Sequence, residues 1–135
     1  MNRLRTLLVL FGLSVCLLTA CGGDTFERAY MASGEGVREA ELSPDEQFNG
    51  TDDLNVVVKL NRHSEDAKVE VVFNDPNGEV LERIETVAPD TVGTVVLGVD
   101  YERRSDTGNQ WLIGRYRVEV FVDDELVETL FFRVD

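Results

Sequence analysis

The chain has two cysteines and one histidine in 135 residues, and both cysteines, Cys16 and Cys21, precede residue 22. Beyond them no thiol remains to act as a nucleophile, to form a disulfide or to bind a metal through sulfur. An uncrosslinked body must stand on its own hydrophobic core. Basic residues are scarce as well: 13 Lys and Arg face 26 Asp and Glu, a net charge of −13. Nucleic-acid binding relies on neutralising phosphates with Lys and Arg, so that class is excluded. No apolar run reaches the roughly 20 residues of a membrane-spanning helix. Sustained helical periodicity, heptads and internal repeats are absent.

The longest apolar run, Leu7 to Leu18, covers about twelve residues and follows Arg3 and Arg5. The small residues Thr19 and Ala20 come next, then Cys21. A positive start, a short apolar stretch and a small-residue cleavage site describe a secretory signal peptide. Leu18-Thr19-Ala20-Cys21 also resembles the lipobox of bacterial lipoproteins. The alternative register Leu13-Ser14-Val15-Cys16 places branched Val15 where the family has Ala or Gly. The resemblance implies cleavage before Cys21 and lipidation of its thiol; an ordinary cleaved signal peptide is the alternative. Each buried methylene contributes about 0.8 kcal/mol, and two chains suffice for stable anchoring. Gly22 stands where an Asp would resemble an inner-membrane retention signal, so a Gram-negative host would favour the outer membrane, facing the periplasm.

Loss of residues 1–20 removes Arg3 and Arg5 and leaves 11 bases against 26 acids, a net charge of −15. Three regions are expected: the leader, residues 1–20; a lipid-anchored tether, residues 21–41; and one folded domain, residues 42–135. Within the tether the apolar cluster Phe26, Tyr30 and Met31 fits a first short strand.

From Asn55 onward the apolar period is two, the signature of half-buried strands. "NVVVKL" places Val56, Val58 and Leu60 on one face, and "KVEVVF" places Val69, Val71 and Phe73. Asp75-Pro76-Asn77-Gly78 satisfies a type I turn at each position. "EVLERIETV" and "TVVLGVDY" read as further strands, with a polar loop at Ser105 to Asn109. In the last pair, Leu112, Tyr116, Val118, Val120 and Val122 face Leu126, Leu130, Phe132 and Val134 across a three-residue loop, Asp123-Asp124-Glu125. That register pairs Val122 with Leu126, Val118 with Leu130 and Tyr116 with Phe132, so that one apolar face is buried. Six or seven such strands predict an all-β fold, an antiparallel β-sandwich.

"WLIGRYRVEVFVDDELVETLFFRV" resembles the closing hairpin of immunoglobulin-like β-sandwich modules in exported bacterial and archaeal proteins, with Trp111, Gly114, Tyr116, Val118, Val120, Phe132 and Val134 at the matching positions. The upstream pieces "SPDEQF", "LNVVVKL" and "VFNDPNGEV" follow the same order, so the likeness runs from about Leu42 to Val134. Asp123-Asp124 stands where the turn usually carries Gly; Asp tolerates the left-handed conformation better than most residues. The resemblance implies a scaffold and no particular activity.

No catalytic set is evident. His63 lies beside Ser64 in a polar loop, without the acid and oxyanion donors that a triad requires. The neighbouring carboxylates Asp52-Asp53, Glu65-Asp66 and Asp123-Asp124-Glu125 read as solvated turns. Among them Asp123, Asp124 and Glu125 are the candidate calcium ligands, calcium taking six to eight oxygens from carboxylates and loop carbonyls. On the outward faces Val57, Val72, Phe121, Val127 and Phe131 form a candidate partner surface, unless the segment with Phe26, Tyr30 and Met31 covers them. The sequence thus predicts a lipid-anchored, noncatalytic envelope module that contacts another envelope protein, without a cofactor. The alternative is a domain that binds calcium or a small ligand at acidic loops.

Overall fold

Among residues 24–101 and 110–135, which the computed structural model describes, the period-two segments form nine strands. In chain order they are β1 (Phe26–Ser33), β2 (Ser43–Pro44), β3 (Gln47–Phe48), β4 (Leu54–Leu60), β5 (Ala67–Asn74), β6 (Val80–Ala88), β7 (Thr94–Val99), β8 (Gly114–Val122) and β9 (Glu125–Val134). A 3-10 turn at Glu39–Glu41 lies between β1 and β2. The leader with Cys21, and the loop Ser105 to Asn109, lie outside the described residues.

Two sheets result, ordered β2-β1-β4-β7 and β3-β9-β8-β5-β6. All pairs are antiparallel except β3 with β9, which run parallel where Gln47 meets Arg133 and Phe48 meets Val134. The chain crosses from one sheet to the other between Pro44 and Gln47, and this crossing sets β3 alongside the last residues of β9. The segment assigned to the tether supplies a full strand: β1 pairs with β4 from Phe26 to Ala32. The sandwich therefore begins at Phe26 and not at Leu42, because Ala29 and Met31 add to the apolar row of Val58 and Val56.

Between the sheets the alternating side chains close a core that includes Val56, Val58, Leu60, Val69, Val71, Phe73, Val118, Val120 and Val122. Fully burying one such side chain contributes about 1.5–3 kcal/mol. Tyr116 stacks on Phe132 with ring centroids 4.8 Å apart, and Phe48 meets Phe132 edge-on at 5.2 Å. Each buried polar tip finds an acceptor, as burial requires: Tyr116 OH donates to the Leu112 carbonyl at 2.7 Å, and Trp111 Nε1 to the Asp52 carbonyl at 2.7 Å. A tyrosine near the start of a late strand, bonded to backbone just upstream, is the tyrosine corner of immunoglobulin-type sandwiches. Leu112, expected on the inner face, is instead exposed; Trp111 takes the buried place just before β8 begins.

The turn at Asp75 follows its sequence. Gly78 N–H donates to the Asp75 carbonyl at 2.9 Å, and Asp75 Oδ1 accepts from the Asn77 and Glu79 amides. Gly78 has φ +82°, the left-handed bulge residue that completes a three-residue hairpin loop.

The closing hairpin departs from expectation in one respect. Its turn has two residues, Asp123 and Asp124, with φ +48° and +67°, so Val122 pairs with Glu125 and not with Leu126. Continued unchanged, that register would set Tyr116 opposite Phe131 and turn Phe132 outward. A β-bulge at Val127 absorbs one residue and restores Val118 opposite Leu130 and Tyr116 opposite Phe132. Consequently Leu126 points outward, half exposed, while Val127 packs against the core, the reverse of the expected assignment.

Candidate functional site

The expected partner face does not exist as a continuous surface. Val57 is completely buried and Val72 only 4% exposed, whereas Phe131 is 44% exposed and Phe121 half-buried. Val57 pairs with Tyr30, and Lys59 follows it on the same outer face. Tyr30 OH donates to Glu39 Oε1 at 3.0 Å and Lys59 Nζ to Glu39 Oε2 at 2.6 Å, which pins the segment after β1 across that face. These two donors, Lys59 foremost, hold the Glu39 carboxyl below the usual carboxylate range, and desolvation together with Glu39 pushes the Tyr30 hydroxyl up. Val57 is thus covered by residues of the presumed tether, although not by Phe26 or Met31, which point inward. Around Val72 the covering is polar. Arg83 pairs with Glu70 at 2.9 Å, and Asn74 Nδ2 donates to Glu119 Oε1 at 3.2 Å.

At the other candidate positions the side chains are already engaged. Asp123 Oδ1 accepts from the Lys68 amide at 2.9 Å, and Asp124 Oδ1 from Lys68 Nζ at 2.8 Å. These bonds tie the β8–β9 turn to the start of β5, and the two carboxylates together raise no coordination shell. Among the described residues no group of three or more His, Cys, Asp or Glu side chains is arranged to hold a metal. His63 Nδ1 lies 2.7 Å from the Glu65 carbonyl and Nε2 lies 2.9 Å from the Val92 carbonyl. Carbonyls only accept, so satisfying both contacts requires the imidazolium, and these bonds, Glu65 first, raise its pKa. The ring fastens the β4–β5 loop to the β6–β7 loop.

The two sheets leave one flank open. Between β1 and β9 lies a cleft of about 800 Å³, bounded by Ala29, Tyr30 and Met31 on one wall and Thr129, Leu130 and Phe131 on the other. The crossing residues Pro44, Asp45, Glu46 and Gln47 close its upper end. A second hollow of about 590 Å³ adjoins it through Asp45 and Gln47 and carries Glu35, Asp52, Asp53 and Asp100. Among the described residues neither lining contains a lysine or an arginine, although Arg115 and Arg117 flank Phe131 on β8. Phe131 projects from the wall with the Arg115 guanidinium 4.1 Å from its ring centre, a cation–π contact. Phe131 is the one member of the expected surface that faces this cleft. The remainder could not be read from the sequence, because the facing wall comes from β1, about 100 residues earlier in the chain.

No family model and no curated protein matches the sequence. Among solved structures, an immunoglobulin-like protein from Pseudomonas aeruginosa superposes with a TM-score of 0.52 at 15% identity, over 82% of this chain and 94% of that one. The fold is accordingly an immunoglobulin-like β-sandwich. A Pseudomonas fluorescens alkylpurine DNA glycosylase bound to DNA gives a TM-score of 0.47 at 15% identity, over 66% of this chain and 27% of that one, too slight a likeness to carry an argument.

Proposed function

We propose that the protein is a lipid-anchored, noncatalytic module of the cell envelope that holds another envelope protein on its open flank. The observation that carries this reading is the cleft between β1 and β9, where Phe131 stands exposed beside Leu130 and Met31 at a gap between the sheets. Clefts with an apolar wall and few polar groups are the usual binding places of small folds. The lipobox-like Leu18-Thr19-Ala20-Cys21 supports the anchor. Because β1 begins at Phe26, only residues 22–25 would separate a lipidated Cys21 from the acidic body, which would then sit close to the membrane surface. The immunoglobulin-like frame supports a binding role only as a scaffold, since function resides in sites grafted onto folds.

Two measurements test the reading. Intact mass of the processed chain should show an acylated Cys21 as first residue, and Cys21→Ser should release the protein from the membrane fraction. Crosslinking of the lipidated chain in intact envelopes, followed by affinity isolation, should recover a specific protein that Phe131→Ser fails to recover. An unmodified first residue would overturn the anchor, and equal recovery by Phe131→Ser would overturn the binding flank.

A further inference from the structure

We infer that the cleft between β1 and β9 receives an extended, basic segment of a partner protein, which adds to the outer edge of β9 as a strand. The inference deepens the proposed envelope-binding role and rests on it for the kind of partner.

Exposed strand edges invite pairing, and folded proteins blunt them with bulges, charges or covering segments. Both edges of this flank are blunted, but only in part. β1 carries a bulge between Phe26 and Arg28, and β9 carries one at Val127. At their other ends β2 covers Ala32 and Ser33, and β3 covers Arg133 and Val134. Between bulge and cover each strand keeps a short regular stretch without a neighbour, and these two stretches are the walls of the cleft.

The backbone there is aimed outward. The Arg133 amide donates to the Glu46 carbonyl, so residue 133 faces away from β8. By alternation along an antiparallel pair, Phe131 and Thr129 face the same way. Their amides and carbonyls present four hydrogen-bonding groups in register, and no backbone partner meets them among the described residues. On the opposite wall the Met31 carbonyl accepts from the Asp45 amide, so Ala29 also turns its backbone into the cleft.

Charge selects the occupant. Asp45 and Glu46 are exposed at the closed end, and among the described residues neither pairs with a lysine or an arginine. The adjoining hollow adds Glu35, Asp52, Asp53 and Asp100. A strand added to β9 would point alternate apolar side chains at Leu130 and Met31, and a terminal Lys or Arg would meet Asp45 and Glu46. The net charge of the body would speed the approach of such a segment and repel an acidic one. This is strand addition, with main-chain bonds giving affinity and side chains giving choice.

The probe is a fluorescein-labelled, N-acetylated heptapeptide amide, Lys-Val-Thr-Val-Thr-Val-Lys, titrated by anisotropy against the full chain in non-ionic detergent, with detergent alone subtracted. Binding should weaken at least tenfold when both lysines are replaced by glutamate, and again when the central valine is N-methylated, which removes its donor. Thr129→Pro should weaken binding at least tenfold with an unchanged urea midpoint, because proline at an outward-facing edge position removes only a free amide. If Thr129→Pro unfolds, the N-methylated peptide alone decides. Equal binding of the N-methylated peptide, or no binding of the lysine peptide, would overturn the inference. Self-association that Thr129→Pro abolishes would assign the cleft to a second copy and overturn it too. Recovery of the same envelope partner by Thr129→Pro would remove this inference and leave the envelope-binding role standing.

Discussion

Two single-residue deletions in the β9 bulge should differ sharply, although they remove neighbouring residues. Val127 and Glu128 together oppose Val120; Val127 packs against the core and Glu128 is exposed. Deleting Glu128 leaves Val127 as the partner of Val120 and converts the bulge into a regular ladder. Every pair from Glu119–Thr129 to Tyr116–Phe132 survives. Deleting Val127 preserves the same pairs but leaves Glu128 opposite Val120, on the face that looks into the sandwich. The second deletion loses a half-buried valine, about 1 kcal/mol. It also turns a carboxylate toward apolar surroundings, at about 1–3 kcal/mol or more. The expected outcome is a loss of about 2–4 kcal/mol for the Val127 deletion and less than about 1 kcal/mol for the Glu128 deletion. Urea unfolding followed by the fluorescence of Trp111, the sole tryptophan and 2% exposed, reads both. At about 4 °C per kcal/mol for a domain of this size, the melting temperatures should separate by roughly 4–16 °C. Equal losses would refute the account, because they would mean that the bulge itself, and not the face it assigns to each residue, supports the hairpin.

Three further outcomes are expected. Tyr116→Phe removes the 2.7 Å bond to the Leu112 carbonyl and should cost about 1 kcal/mol by urea melt, with no loss of sheet signal in circular dichroism. Gly98→Ala would drive a Cβ against Asn55 Oδ1 and to 2.9 Å from the Leu54 carbonyl, displacing the amide that bonds the Gly34 carbonyl at 3.0 Å. It should destabilise by about 1–3 kcal/mol, and Asn55→Ala should relieve part of that cost. For His63 the folded-state pKa lies above the unfolded value, so its contribution is complete below about pH 6.5 and fades as pH rises through the folded value. The wild-type urea midpoint should therefore fall between pH 6 and pH 9 relative to that of His63→Gln. Parallel pH profiles would show that the ring does not clasp the two loops as a cation.

Much of the β architecture was legible because its cause is local. Alternation in "NVVVKL" and "KVEVVF" predicts which residues of β4 and β5 face inward, and Asp75-Pro76-Asn77-Gly78 predicts its own turn. Tyr116 and Phe132 were paired correctly because two apolar rows admit one register that buries both. The turn itself was misread for an instructive reason. A three-residue loop and a two-residue turn followed by a bulge give the same pairing farther along, and only the positive φ angles of Asp123 and Asp124 distinguish them. β1 was harder to place because its arginine, its glutamate and its bulge interrupt the alternation in "FERAYMAS". Val57 and Val72 were placed outward correctly by parity. Their burial depends on Glu39 and Arg83, which come from other elements.

By itself the sequence determined the longer strands from β4 onward, most of the faces they present and the acidity of the body. Acidity follows from composition, and strands and faces follow from neighbours one, two or four residues apart. The lipid anchor at Cys21 is an inference of the same local kind. Only the tertiary structure decided which outward residues are covered and which stand open. Burial of an outward side chain depends on what the rest of the chain lays over it. The cleft exists because β1 and β9, remote in sequence, end as neighbouring edges that β2 and β3 are too short to close.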